Sequence, residues 1–197
     1  MRHDPLSPLG RLLDLALIAG PLCYLLLDAT YVVRGWWDGP TGALHVLAAV
    51  VYAGAALRLV TMTTGRTQAA LAVVAVLGVI GNAGVGDNTI HVALGGNDLF
   101  MADAGPANLF KSMGFFFPLT FLVAAVALHD RLPRRVWVAL AAGAVLFPVA
   151  HVANISWLAI ADGLLMLAAL AGVHAARDAA TPSSAAPPGR RAAGVTP

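Results

Sequence analysis

The chain has 197 residues, of which 59% are hydrophobic and only 11% are charged, and its formal net charge is +2. Soluble domains average about 45–50% apolar and about 25% charged residues, so this composition excludes an ordinary soluble protein; its high apolar content also excludes a disordered chain. All ten acidic residues are Asp, and Lys111 is the only lysine among twelve basic residues. Soluble proteins rely on Glu and Lys at their surfaces. The composition therefore predicts an integral membrane protein.

Six apolar stretches are long enough, or nearly so, to cross a hydrocarbon core of about 30 Å, which takes roughly 20 helical residues. In chain order they cover residues 12–33, 43–62, 69–86, 109–129, 136–152 and 156–176. The first is too long for a signal peptide and lacks a small-residue cleavage site, so we expect it to remain in the mature protein. We predict an all-α domain of six transmembrane helices over residues 1–176 and a disordered cytoplasmic tail over 177–197.

The basic residues divide sharply between the two sides of this six-helix arrangement. With a cytoplasmic N-terminus, only Arg34 and Lys111 fall outside; the inner residues are Arg2, Arg11, Arg58, Arg66, Arg131, Arg134, Arg135, Arg177, Arg190 and Arg191. Short cytoplasmic loops carry an excess of Lys and Arg. The pattern thus predicts a multi-pass protein of the cell membrane with both termini in the cytoplasm, and it explains the basic charge without a nucleic-acid partner.

The longest connection is the outer one between the third and fourth predicted helices, residues 87–108. Long connections are usually functional or disordered. Because this one contains apolar residues such as Ile90, Leu99 and Phe100, we expect a packed lid or a re-entrant segment. On the preceding helix, Gly78 and Gly81 favour close helix packing over phosphate binding.

Polar residues within the spans concentrate in one layer, the outer leaflet. Asp28 lies six residues before Arg34, hence about 9 Å below the helix end at 1.5 Å per residue. Asp162 lies at a similar depth on the sixth helix. The other helices bring further polar residues to this layer, namely His45, Asn82, His151 and Asn154. Ionisable groups inside a span cost a few kcal/mol, so each one calls for a partner or a function.

The leading hypothesis is a membrane enzyme that acts on an isoprenoid- or sterol-like substrate in an outer-leaflet pocket. Apolar surroundings favour the neutral acid, so Asp28 and Asp162 could act as catalytic general acids in a proton-initiated cyclisation or isomerisation. The predicted substrate-binding residues are Tyr24, Tyr31, His45, Asn82, His91, Lys111, His151, Asn154 and Trp157. This chemistry needs no cofactor and no metal. The partner is a membrane lipid or an isoprenoid-like small molecule.

Other interpretations of the same residues remain open. Asp28 and Asp162 could serve only as helix–helix contacts, or could carry protons in a transporter, which a homodimer could complete. The chain could also be a non-catalytic subunit of a membrane complex, whose polar residues meet a partner instead of a substrate. Trp157 could be an interfacial anchor. Lys111 could pair with Asp98 or Asp103, or bind an anionic headgroup. A cavity closed at its bottom favours the enzyme, whereas a passage toward Arg58 favours transport and a filled bundle favours the subunit.

Overall fold

The computed structural model describes residues 7–101 and 105–180 of the chain. In these residues every regular element is an α-helix and there is no strand. The helices are α1 (Pro8–Arg34), α2 (Gly39–Thr61), α3 (Gly65–Ala93), α4 (Gly105–Gly114), α5 (Phe116–Ala127), α6 (Arg134–Val152) and α7 (Ser156–Ala180). The predicted all-α class is confirmed.

Five of these helices, α1, α2, α3, α6 and α7, are long and apolar enough to cross a membrane. A shorter apolar helical stretch covers Lys111–Ala127, within α4 and α5. The outward faces carry large aliphatic side chains that are more than 50% exposed, among them Leu12, Leu15, Leu26, Leu47, Val50, Val73, Val76, Val126, Val145 and Leu164. A helix that is apolar on its outer face as well as its inner face is typical of a membrane-embedded protein.

Three predicted boundaries were wrong. Because α3 continues to Ala93, the predicted connection 87–108 shrinks to a short segment that begins at Leu94. Residues 94–101 are called the lid segment below, and Asp103 lies outside the described residues. The predicted tail begins too early, since α7 includes residues 177–180; the rest of that tail also lies outside the described residues.

The third correction concerns the predicted fourth span, which is interrupted at Phe115 between α4 and α5. Pro118 has no N–H to donate to the carbonyl of Gly114, so the regular hydrogen-bond ladder fails there. The Phe115 N–H instead donates to the Ser112 carbonyl at 3.2 Å, three residues back. The sequence shows Pro118 plainly, but its apolar surroundings suggested one continuous helix.

Glycines on α3 allow the interrupted segment to approach closely. A Cβ atom on Gly78 would lie 2.6 Å from the Phe117 nitrogen, and one on Gly81 would overlap the backbone of Met113 and Gly114. The prediction that Gly78 and Gly81 serve close helix packing is confirmed. Small residues let helix backbones meet in this way where lipid supplies no hydrophobic driving force.

The helices form a closed ring in which each packs against its neighbours in sequence and α7 returns to α1. Its interior is filled by large buried side chains, including Leu17, Leu27, Tyr52, Leu59, Phe121, Leu140 and Leu170. The turns that line the cavity described below lie at one end of the ring, so the ring has two distinct ends. The loop end carries the lid segment and the α1–α2 and α6–α7 turns, and the basic end carries the opposite helix termini.

An ion cluster ties three helices together at the basic end. The Asp14 carboxylate on α1 accepts a hydrogen bond of 2.7 Å from Arg58 Nε on α2, and it also pairs with Arg177 on α7. Arg58 is only 4% exposed, so its charge depends on this partner. The other basic residues described at this end are Arg11, Arg66, Arg131, Arg134 and Arg135.

At the loop end, the turn between α1 and α2 is fixed by Asp38. Its carboxylate accepts two hydrogen bonds of 2.8 Å from Arg34 and caps α2 through the Thr41 N–H at 2.9 Å. The Arg34 guanidinium and the Thr41 donors lower the pKa of Asp38 below its usual range. This turn holds Trp36 stacked on the Tyr31 ring, with centroids 4.4 Å apart.

We expect Gly81→Ala to destabilise the protein, because the added methyl group meets backbone atoms that cannot move independently of α4. Overpacking of this kind costs about 1–3 kcal/mol and should lower the thermal unfolding midpoint by several degrees. Gly114→Ala is the matched control, since a Cβ there meets nothing within 4 Å. Equal midpoints for the two variants in the same detergent would contradict the close contact.

Candidate functional site

A cavity of about 540 Å³ lies at the loop end, between α1, α2, α3, α4, α5, α6 and the lid segment. Its apolar walls include Val85, Phe100, Phe115, Pro118, Phe147, Pro148 and Val152. Its polar lining includes Tyr24, His45, Asn82, Lys111, His151 and Asn154, all of which were predicted to contact substrate. The volume is in the range of ordinary small-molecule sites, which are mostly apolar with a few placed polar groups.

The remaining predicted binding residues lie elsewhere. Tyr31 is buried behind His45 and does not line the cavity. His91 is exposed on α3 and packs its ring against the backbone of Gly96. Trp157 is 72% exposed on the first turn of α7, where an interfacial anchor would lie.

The two predicted catalytic acids are buried but do not line the cavity. Asp28 is 2% exposed and Asp162 is 1% exposed, so neither faces lipid. Instead, the sequence analysis missed several lining residues, among them Trp36, Trp37, Asn88 and Thr89. Asn88 and Thr89 were missed because α3 was expected to end near residue 86; helix continuation was the signal that could have revealed them.

A hydrogen-bond network joins α1, α2 and α3 beside the cavity. Tyr24 donates its hydroxyl to Asn82 Oδ1 at 2.9 Å, and His45 Nε2 lies 3.2 Å from the same oxygen. On the other side of the ring, the Tyr31 hydroxyl lies 2.8 Å from His45 Nδ1. If Tyr31 donates to Nδ1, then Nε2 carries the proton and donates to Asn82. This neutral tautomer satisfies both ring nitrogens without an additional group.

Asp28 on α1 pairs with His151 on α6. Asp28 Oδ1 lies 3.2 Å from His151 Nε2, and the other ring nitrogen, Nδ1, lies 2.9 Å from the Phe147 carbonyl. A carbonyl only accepts, so Nδ1 must carry a proton. The Asp28–His151 contact therefore holds one more proton, either on Nε2 beside a carboxylate or on the acid beside a neutral ring. One proton lies between a buried carboxyl and a side chain that lines the cavity.

Asp162 on α7 lies behind this pair. Its Oδ1 is buried without a hydrogen-bond partner among the described residues. A Cβ on Gly143 of α6 would lie 3.4 Å from that oxygen, so the glycine leaves room for the carboxyl between the helices. His151 and Asp28 both interact electrostatically with Asp162. The two acids and the histidine thus form one electrostatic group at the junction of α1, α6 and α7.

Aromatic rings fill the bundle next to the cavity on the side toward the basic end. Phe117 stacks on Tyr24 with centroids 5.7 Å apart and makes edge contacts to Tyr52 at 5.1 Å and Phe121 at 5.4 Å. Phe147 stacks on the His151 ring with centroids 4.0 Å apart. The cavity lining does not extend to Arg58 or Asp14. Among the described residues, the cavity is closed toward the basic end.

The lid segment is fastened to α3 by Asn88 and Asp98. Asp98 Oδ1 accepts hydrogen bonds from Asn88 Nδ2 at 3.0 Å and from the Phe100 N–H at 2.9 Å, while Asn88 Oδ1 accepts one from the Leu99 N–H at 2.9 Å. Lys111 on α4 donates to the Phe100 carbonyl at 3.0 Å. Residues 94–101 are thus held against α3 and α4 by side-chain hydrogen bonds, and Phe100 and Met101 line the cavity. Lys111 makes no ion pair within the described part of the chain.

The histidines His45, His91 and His151 do not come together in one place. His45 and His151 lie inside the bundle, whereas His91 lies on its exposed surface. Among the residues that the structure describes, no group of three or more His, Cys, Asp or Glu side chains is placed to hold a metal ion.

No protein-family model matches the sequence, and no curated protein and no solved structure is significantly similar to it. The site must therefore be interpreted from its own chemistry. It combines an apolar cavity, a proton held by a buried acid–histidine pair at its wall, and a tyrosine–histidine–amide network.

We expect Asp98→Ala to loosen the lid segment, because one carboxylate oxygen accepts several of its hydrogen bonds. Bonds to charged groups contribute about 1.5–3 kcal/mol, so amide exchange in residues 94–101 should become roughly tenfold faster or more. Hydrogen–deuterium exchange with mass spectrometry measures this. Asp87→Ala, which removes an exposed acid from α3, is the control; unchanged exchange in Asp98→Ala would rule out the anchoring role.

Proposed function

We propose that the chain is an integral-membrane enzyme that binds an isoprenoid- or sterol-like substrate in the loop-end cavity and protonates it. In this proposal α4 and α5 together complete six membrane crossings. Both termini lie in the cytoplasm of the cell, and the cavity opens in the outer leaflet. The lipid-like wall of the cavity supports this substrate class, because apolar side chains make up most of its lining.

The observation that carries the proposal is the contact between buried Asp28 and cavity-lining His151. The sequence suggested that Asp28 itself meets the substrate, but His151 is the member of the pair on the cavity wall. We therefore assign His151 as the group that delivers the proton and Asp28 as its partner, which holds the ring and shares the proton. Positioned acids and bases contribute roughly 10²–10⁴-fold to rate.

The proton inventory balances for a cyclisation or an isomerisation. The pair gives one proton to the substrate, and a cation forms. Loss of a different substrate proton then returns the pair to its starting state. Substrate and product are isomers. The neighbouring Tyr24 and Phe147 rings present faces that stabilise developing positive charge. Asp162, which does not line the cavity, is assigned an electrostatic role on the Asp28–His151 pair.

Two features weigh against the transporter alternative. The cavity does not extend toward Arg58, and the ring of helices is filled by Tyr52, Phe117 and Phe121 between the two ends. A non-catalytic subunit has no need of a cavity of this size. These features favour a binding pocket for a small molecule, with entry from the loop end.

The proposed orientation has a direct test. A reporter active only in the cytoplasm should be active when fused after Arg66 or Arg134 and inactive after Asn97, because the basic end is predicted to face inward. A periplasmic or extracellular reporter should show the inverse pattern. If the Arg66 and Asn97 fusions reported the same side of the membrane, the proposal that α3 crosses the membrane would be refuted.

We expect Asp28→Asn to slow proton transfer strongly while the protein still folds. The purified protein is incubated in D₂O with a total lipid extract of its own cells, and the products are analysed by mass spectrometry for one carbon-bound deuterium. The wild type should form such a product, and Asp28→Asn should form it at least roughly 10²-fold more slowly, since an amide cannot hold or share the proton that His151 delivers.

Asp87→Asn, an exposed carboxyl on α3, serves as the control for loss of charge, and thermal midpoints report whether each variant is folded. Asp162→Asn should lower the rate less than Asp28→Asn, because Asp162 does not reach the cavity wall. Full activity of Asp28→Asn and Asp162→Asn would remove the main support of the enzyme proposal. A large loss of stability with retained activity per folded molecule would assign the carboxyls a structural role.

A further inference from the structure

The hydrogen-bonding inventory of the cavity wall contains one unmet donor. The buried side-chain atoms without a hydrogen-bond partner among the described residues are Asp28 Oδ2, Arg58 Nη2, Asn82 Nδ2, Asp162 Oδ1 and His174 Nδ1, of which Arg58 Nη2 lies 2.7 Å from Asp14 Oδ1 in an ion pair. Of these residues, only Asn82 lines the cavity. Leaving a buried donor unsatisfied is costly, and each such group in a folded protein calls for an explanation.

The position of this donor is fixed by the network described above. Asn82 is 4% exposed, and its Oδ1 accepts from Tyr24 at 2.9 Å while also lying 3.2 Å from His45 Nε2. Both neighbours act on the oxygen, so the amide is oriented with Nδ2 left over. Tyr31 maintains this orientation indirectly, because its hydroxyl lies against His45 Nδ1 and favours the tautomer that donates to Asn82.

We infer that the substrate is a lipid-soluble carbonyl compound whose oxygen accepts a hydrogen bond from Asn82 Nδ2. This inference rests on the proposed function for its site, and it narrows the substrate class. An alkene has no oxygen to meet the donor. A carbonyl oxygen accepts without bringing an O–H of its own, whereas an alcohol would need a further acceptor, and Asn82 Oδ1 is already used by Tyr24.

This assignment fits the proton chemistry of the same cavity. The pair protonates a carbon of the substrate, and the proton lost in return comes from the carbon next to the carbonyl group. As that proton leaves, negative charge builds on the carbonyl oxygen, and a fixed amide donor stabilises it. The role of Asn82 is recognition and polarisation, and the transferred proton comes from the pair.

The test compares three ligands of equal chain length: methyl undecyl ketone, the corresponding alkene and the corresponding alcohol. Each is titrated into purified protein in detergent, with tryptophan fluorescence as the readout because Trp36 and Trp37 line the cavity. We expect the ketone to bind about tenfold more tightly than the alkene, the value of one hydrogen bond to a preorganised donor, and more tightly than the alcohol.

The variant Asn82→Leu should bind ketone and alkene equally, because it replaces the amide with an apolar side chain of similar size. Asn97→Leu is the control: it makes the same substitution at an exposed asparagine that does not line the cavity, and it should retain the preference for ketone. A preference for ketone that survives in Asn82→Leu would show that another donor is responsible and would overturn the inference.

If Asn82→Leu fails to fold, ligand binding to the wild type still tests the inference. Equal binding of ketone and alkene would overturn the inference, and tighter binding of the alcohol would show that Asn82 presents its oxygen to the ligand. These measurements need no turnover. Failure of ketone selectivity with Asp28-dependent deuterium incorporation intact would reject the carbonyl assignment and leave the proposed enzyme standing.

Discussion

Polar groups within a bundle of apolar helices cannot rely on water or lipid for hydrogen bonds, so they must find partners across the helices. This constraint explains the organisation of the loop end. Tyr24, His45 and Asn82 come from three different helices and form hydrogen bonds with one another, and Asp28 reaches across from α1 to His151 on α6. Each contact also fixes the spacing of the helices that supply it, so the same bonds that satisfy the polar groups shape the cavity between them.

Backbone packing creates the space that this network surrounds. Pro118 interrupts the helix that would otherwise run through Phe115, and Gly78 and Gly81 let the interrupted segment lie directly against α3. The interruption also places Phe115 and Pro118 in the cavity wall. A second proline, Pro148 within α6, also lines the cavity and precedes His151 by less than one turn. The cavity therefore lies beside prolines from two helices.

The two ends of the ring use their charges differently. At the basic end, Asp14 joins α1, α2 and α7 through Arg58 and Arg177, so a buried charge is neutralised by partners and the interior is filled. At the loop end, Asp28 and Asp162 each keep one oxygen without a partner, and Lys111 has only a carbonyl partner among the described residues. A buried polar atom that lacks a partner beside a cavity calls for an explanation, and a bound ligand is the one that the proposed function supplies.

The sequence by itself determined the helical class, the number of strongly apolar segments and the concentration of polar residues toward one end. These properties depend on composition and on spacing along the chain, which lipid as solvent constrains strongly. It also named Tyr24, His45, Asn82, Lys111, His151 and Asn154 as neighbours, because antiparallel helices bring equal depths together. Only the tertiary structure decided that His151 lies on the cavity wall and Asp28 behind it, and that Tyr31, His91 and Trp157 lie elsewhere. The rotation of each helix about its own axis determines which of its residues face the cavity. That rotation follows from contacts between distant residues, such as the α3 glycines against α4, which hydropathy does not encode.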